Sequence, residues 1–147
     1  MCYSIFLSTD STEDFAINTY LYLCFSKDLS PEPSEQDLLP LLAYPNRWFL
    51  NRSEFGGCSC HFLHSRDDHQ FREPLDWLPQ GADDVSATEE AYNVFSEIIR
   101  SGYKLDVLDV FSNRETNIEI RDLEISFGSI EAISFRFFEN YRFNFSP

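Results

Sequence analysis

The chain has 147 residues, 25 acidic against 11 basic, for a net charge of -14; 43% of it is hydrophobic and 16% aromatic. That length fits one domain, residues 1–147, able to bury a core without disulfides or metal, and fifteen phenylalanines with seven tyrosines exclude a disordered chain. The charge argues against autonomous nucleic-acid binding, which needs a Lys/Arg surface, and against docking on anionic membranes.

Tyr3 to Thr9 reads as a buried strand, and Ile17 to Phe25, with alternating side chains, as a second. The Pro-rich acidic stretch Asp28 to Glu35 is an exposed connection. Ser34 to Ala43 suits a short helix ended near Pro40. Arg47 to Asn51 is a strand, expected to form a hairpin with Cys58 to His64 across Gly56-Gly57. A helix from Ser86 to about Ser101 is the best-defined element. Ser86-Ala87-Thr88-Glu89 matches a capping box, Gly102 suits a left-handed C-terminal cap, and Ala91, Tyr92, Phe95, Ile98 and Ile99 form one apolar stripe. Strands follow at Lys104 to Phe111 and around Ile118 to Phe127. Ile130, Ile133, Phe137, Phe138 and Tyr141 recur at helical spacing, which predicts a second helix after Ser129. Tyr141, Phe143 and Phe145 then alternate as a closing strand. The outcome is an α+β domain with an antiparallel-rich mixed sheet of about six to seven strands and two main helices.

Chemistry concentrates in Gly56-Gly57-Cys58-Ser59-Cys60-His61-Phe62-Leu63-His64, which holds two of the four cysteines and two of the three histidines. On a strand, Cys58, Cys60, Phe62 and His64 share one face. A zinc site could draw on Cys58, Cys60 and His64, with His69 or Cys24 as the fourth ligand. Against it, Cys-x-Cys on extended backbone holds the two Cα atoms roughly 6–7 Å apart, and no second cysteine pair exists. The expectation is therefore no metal and no cofactor, with Cys58 and Cys60 as small buried hydrophobes. A thiol nucleophile at Cys60, served by His61, His64 or His69 and oriented by Asp67, Asp68 or Asp76, suffers from local acidity that raises a thiol pKa. Cys2 after Met1 matches the N-terminal nucleophile of some amidotransferases and DNA-crosslinking proteins only in that dipeptide; those chains usually continue with glycine, and this one has Tyr3. No catalytic residue is assigned.

Charge distribution is more specific. From Glu73 to Ile99 there are seven acidic residues (Glu73, Asp76, Asp83, Asp84, Glu89, Glu90, Glu97) and no Lys or Arg, with Trp77 among them. An aromatic anchor amid carboxylates suits a basic protein partner, with Asp76, Trp77, Asp83, Asp84 and Glu90 as the binding group. Asp83 and Asp84 also complement a helix N-terminus. Asp106 and Asp109 interrupt an apolar strand and face opposite sides, so at least one is expected to be buried and paired, with an arginine as the natural partner.

The opening Met1-Cys2-Tyr3-Ser4-Ile5, the Trp48…Gly57-Cys58-Ser59-Cys60-His61-Phe62 stretch, Glu73-Pro74-Leu75-Asp76-Trp77 and Phe137-Phe138-Glu139-Asn140 resemble a group of small bacterial proteins of uncharacterised function. The resemblance spans most of the chain and implies a bacterial source, but no activity. No run reaches the length of a membrane span, and the N-terminus lacks a basic n-region, so a cytoplasmic location with reduced thiols is expected. Together these features describe a non-catalytic, acidic, immunity- or antitoxin-like module binding a basic partner. The competing expectation is a small thiol- or metal-dependent protein using Cys58, Cys60 and His64.

Overall fold

A computed structural model of the chain describes residues 2–29, 31–54, 58–65, 71, 81–112 and 118–147. The fold is α+β. Six strands form one mixed sheet: β1 (Cys2–Thr9), β2 (Leu23–Ser26), β3 (Asn46–Arg52), β5 (Leu105–Ser112), β6 (Arg121–Ser126) and β8 (Tyr141–Ser146), in the order β2-β3-β1-β5-β8-β6. All neighbours are antiparallel except β6 and β8. A two-stranded parallel sheet pairs β4 (His64–Ser65) with β7 (Phe137–Phe138). The helices are α1 (Pro33–Gln36), a single turn, and α2 (Ala82–Arg100). Among the described residues, no helix is long and apolar enough to cross a membrane.

Strand alternation divides the apolar residues between the two faces of the sheet. Ile5, Leu7, Trp48, Leu50, Leu105 and Val107 face α2, whose Ala91, Tyr92, Phe95, Ile98 and Ile99 complete the larger core together with Phe135, Phe137, Phe143 and Phe145. Phe6, Phe49, Leu108 and Val110 face the other way and are covered by Leu42, Leu38 and Leu39. Asp106 therefore lies on the second face and Asp109 on the helix face, and both are fully buried.

The α2 stripe packs as the sequence predicts, and its C-terminus is a Schellman motif. Tyr103 N–H reaches the Ile98 carbonyl, Gly102 N–H reaches Ile99, and Gly102 has φ +89°. Its start does not follow the predicted capping box. The helix begins at Ala82, with Gly81 as the cap and no side-chain cap. Thr88 lies inside it, donating to the Asp84 carbonyl at 2.8 Å and accepting from Leu63 N–H at 2.9 Å. Asp83 and Asp84 in the first turn complement the dipole instead.

Four other expectations are corrected. The strand expected over Ile17 to Phe25 shortens to Leu23–Ser26. Before it, Asp14 caps a 3-10 turn, Phe15–Ile17, by accepting from Ala16 N–H at 3.0 Å, and Ile17 and Leu21 remain exposed. The helix expected over Ser34 to Ala43 breaks into α1 and a 3-10 turn, Leu39–Leu41, around Pro40. The hairpin between β3 and the Cys58 segment does not form, because both edges of β3 are occupied by β1 and β2. The helix expected after Ser129 is replaced by 3-10 turns at Phe127–Ser129 and Ala132–Ser134 and by β7. Phe137 N–H donates to Leu63 O at 3.0 Å and Glu139 N–H to Ser65 O at 3.1 Å, so strand pairing outweighs the helical spacing.

Candidate functional site

The acidic residues of α2 divide by what they touch. Asp84 pairs with the buried guanidinium of Arg52 at 3.1 Å, and the same Nη1 also donates to the His61 carbonyl at 3.0 Å. Glu90 accepts backbone N–H groups from Leu21, Tyr22 and Leu23 at 3.0–3.2 Å and so clamps the approach to β2. Asp83 is exposed in the first helical turn. Asp76, Trp77 and His69 lie outside the described residues, as do Asp67 and Asp68. The two carboxylates with internal partners, Asp84 and Glu90, hold the fold.

One turn further along, α2 borders a pocket of about 260 Å³. Phe15, Tyr20, Val94, Ile98 and Tyr103 supply apolar wall, and Glu13, Glu90 and Glu97 supply carboxylates. Among the described residues, no Lys or Arg lines it. Asn18 donates to both Glu13 at 3.0 Å and the Tyr20 hydroxyl at 3.1 Å, which fixes that rim. Burial pushes the Tyr20 hydroxyl above its ordinary value, Asn18 opposes that, and Glu13 and Glu90 add to the rise. The tyrosine therefore stays neutral beside the carboxylates. The exposed Ile17 and Leu21 flank the pocket residues Phe15 and Tyr20 in the chain.

The cysteine-histidine segment has a different geometry from the expected strand. Residues 58–63 are irregular. Ser59 fastens them to β1: its N–H donates to the Tyr3 carbonyl at 2.8 Å, and its Oγ accepts from Ile5 N–H at 2.9 Å. Tyr3 N–H donates to Cys60 Sγ at 3.3 Å. Cys58 and Cys60 are thereby brought against Cys2 at the head of β1, with all three Sγ atoms within 4.8 Å of one another. The premise that extended backbone separates the two thiols does not hold. Cys24, on β2, is not in this group.

His64 is not a free ligand or base either. Its Nε2 lies 2.7 Å from the Ser59 carbonyl, which only accepts, so Nε2 carries a hydrogen. Its Nδ1 lies 2.7 Å from Asp109 Oδ2 and shares one further proton with it, while the Tyr3 ring stacks on the imidazole at 3.7 Å. Asp109 Oδ1 accepts no hydrogen bond among the described residues.

No protein-family model, curated protein or solved structure matches this chain.

The Asp109 environment has a measurable consequence. Burial pushes its carboxyl above the ordinary range, and His64 only partly opposes this. A raised folded-state value means that the stability from this group is complete below the unfolded value, about pH 4, and is lost as pH rises through the folded value. Asp109→Asn keeps a partner for His64 and removes that titration. Urea midpoints compared from about pH 4 upward should therefore fall more steeply for the parent than for the variant; parallel profiles would refute the assignment.

Sequence reasoning singled out the Cys58/Cys60 segment, which it read as small buried hydrophobes, and it marked Asp106 and Asp109 as candidates for burial. It missed Cys2 as the neighbour of the two cysteines, Ser59 as the fastener, and the Glu13/Tyr20/Glu97 side of the pocket. The only signal for Cys2 was its place one residue before the predicted strand at Tyr3.

Proposed function

We propose that this protein is a non-catalytic binding module that takes a cationic side chain of a basic partner into the pocket beside α2. The observation that supports this most directly is the combination of three carboxylates and an aromatic wall in one concavity, with no lining cation among the described residues. A Lys or Arg side chain matches it along its length. The aliphatic stem meets Val94 and Ile98, and the charged head meets Glu13 and Glu97 with the Tyr20 and Tyr103 rings beside them. The net charge of -14 adds a long-range field that speeds the approach of a basic protein. This reading moves the docking centre from the Asp76/Trp77/Asp83/Asp84/Glu90 group to Glu13 and Glu97 of the pocket, since Asp84 already has Arg52 and Glu90 already accepts three backbone N–H groups.

A catalytic reading draws less support. Burial and its neighbouring thiols push Cys60 up to about 12, and both His64 nitrogens are engaged, so Cys60 is not an activated nucleophile and His64 is not a free base.

The test is binding of a lysine-rich peptide, followed by calorimetry or anisotropy at several salt concentrations. We expect affinity to fall as salt rises, and Glu13→Gln with Glu97→Gln to weaken binding about tenfold or more, about 1.4 kcal/mol. Both residues are exposed, so the fold should be unaffected. Equal binding of a glutamate-rich peptide, or an unchanged affinity in the double variant, would overturn the reading.

A further inference from the structure

We propose that Cys2, Cys58 and Cys60 form a binding site for a thiophilic d10 metal ion, of the Zn(II) or Cu(I) class, held by three thiolates. Nothing in the pocket reading requires this site, and it stands on separate residues.

A metal–sulfur bond of about 2.3 Å places sulfurs about 3.8 Å apart around a tetrahedral ion and about 4.0 Å apart around a trigonal one. The three Sγ atoms already lie within 4.8 Å of one another, so a closure of about 1 Å or less makes a complete three-sulfur site.

The backbone around the sulfurs is fixed before any ion arrives. Ser59, between the two cysteines, is fully buried and bonded on both its backbone and its hydroxyl to β1, the strand that carries Cys2. Three ligands separated by as many as 58 positions in the sequence are thus held by one set of strand-edge hydrogen bonds. The Tyr3 N–H aimed at Cys60 Sγ is the kind of outer partner that stabilises a metal-bound thiolate and sets its orientation. Cys2 is exposed and Cys58 and Cys60 are half-buried, which leaves an entry path on one side and low-dielectric protein on the other.

The donor set decides the class of ion. All three donors are soft sulfur, which selects Cu(I) and Zn(II) over Mg(II), Ca(II) or Mn(II). His64 is excluded as a nitrogen donor by its bonds to Ser59 and Asp109. Cu(I) is satisfied by three sulfurs, whereas Zn(II) takes a fourth ligand on the open Cys2 side. An ion binds the thiolate form of each cysteine, so binding releases protons and strengthens with pH.

The experiment uses the full chain, reduced and anaerobic, titrated separately with Zn(II), Cd(II) as its spectroscopic substitute, and Cu(I). The readouts are the ultraviolet sulfur-to-metal charge-transfer band and metal content after dialysis. We expect one equivalent per chain. Cys2→Ser, Cys58→Ser and Cys60→Ser should each weaken binding by more than the roughly 100-fold limit typical of outer partners, while Cys24→Ser leaves it unchanged. Saturation by Zn(II) or Cd(II) would show that a fourth ligand completes the site, and saturation by Cu(I) alone a trigonal one; either supports the proposal. If Cys60→Ser does not fold, the exposed Cys2→Ser decides. A missing charge-transfer band, a band insensitive to Cys2→Ser, or one equally sensitive to Cys24→Ser would overturn it.

Discussion

Replacing Arg142 by methionine is expected to destabilise the fold by about 3–5 kcal/mol. Asp106 is fully buried, and its Oδ2 receives Arg142 Nη2 at 2.9 Å, Nε at 3.1 Å and the Ala43 N–H at 2.9 Å. Its Oδ1 receives the Ser8 hydroxyl, and Ser8 in turn accepts Tyr44 N–H at 3.2 Å. This network ties the Leu42-Ala43-Tyr44 segment to β1, β5 and β8 on the face away from α2. Removing the cation leaves a carboxylate with hydrogen bonds but no counter-charge in a low-dielectric site, which is the costly way to break such a pair. The companion variant Asp106→Asn/Arg142→Met leaves no buried charge, so it should recover a large part of the loss. Urea unfolding measures both. A loss below about 1 kcal/mol, the level of an exposed ion pair, would show that water reaches Asp106 and that the pair is not structural.

Phe135→Ala is the second large effect, at about 3–5 kcal/mol, or a drop in melting temperature of about 10 °C for a chain of this length. Phe135 has no exposed surface, and its ring lies 5.2–6.4 Å, centroid to centroid, from Tyr92, Phe95, Phe137, Phe143 and Phe145. Truncation removes a shared partner from all of them, and the rigid rings around it cannot collapse into the space. The comparison with Ile133→Ala makes this sharper. On a helix after Ser129, Ile133 would be core and Phe135 would lie off the stripe. In the structure Ile133 is 39% exposed, so its truncation should cost within about 0.5 kcal/mol. Equal losses at the two positions would contradict the observed turn-and-strand path.

The sequence by itself determined the elements whose stability is local or repeated. The stripe of α2 and its Gly102 stop were legible because helical spacing and a left-handed cap depend only on near neighbours. Strands β1, β3 and β5 were legible as short apolar runs, and β8 through the alternation of Tyr141, Phe143 and Phe145. The unusual placement of Asp106 and Asp109 in an apolar run correctly marked buried partnered charge, with Arg142 as one partner.

Only the tertiary structure decided which residues meet. Phe137 and Phe138 have helical spacing to their neighbours, yet pairing with His64 and Ser65 fixes them as a strand, because backbone bonds to a distant segment outweigh a weak local preference. Cys58 and Cys60 looked too far apart for one ion because a strand was assumed, and the occupied edges of β3 exclude that strand. Cys2 joins them only because Ser59 bonds to β1 across more than 50 positions of chain. The acidic pocket likewise draws Glu13 and Tyr20 from one segment and Glu97 and Tyr103 from another. Periodicity registers neighbours within a turn or a strand; contacts made by closing long loops leave no mark in it.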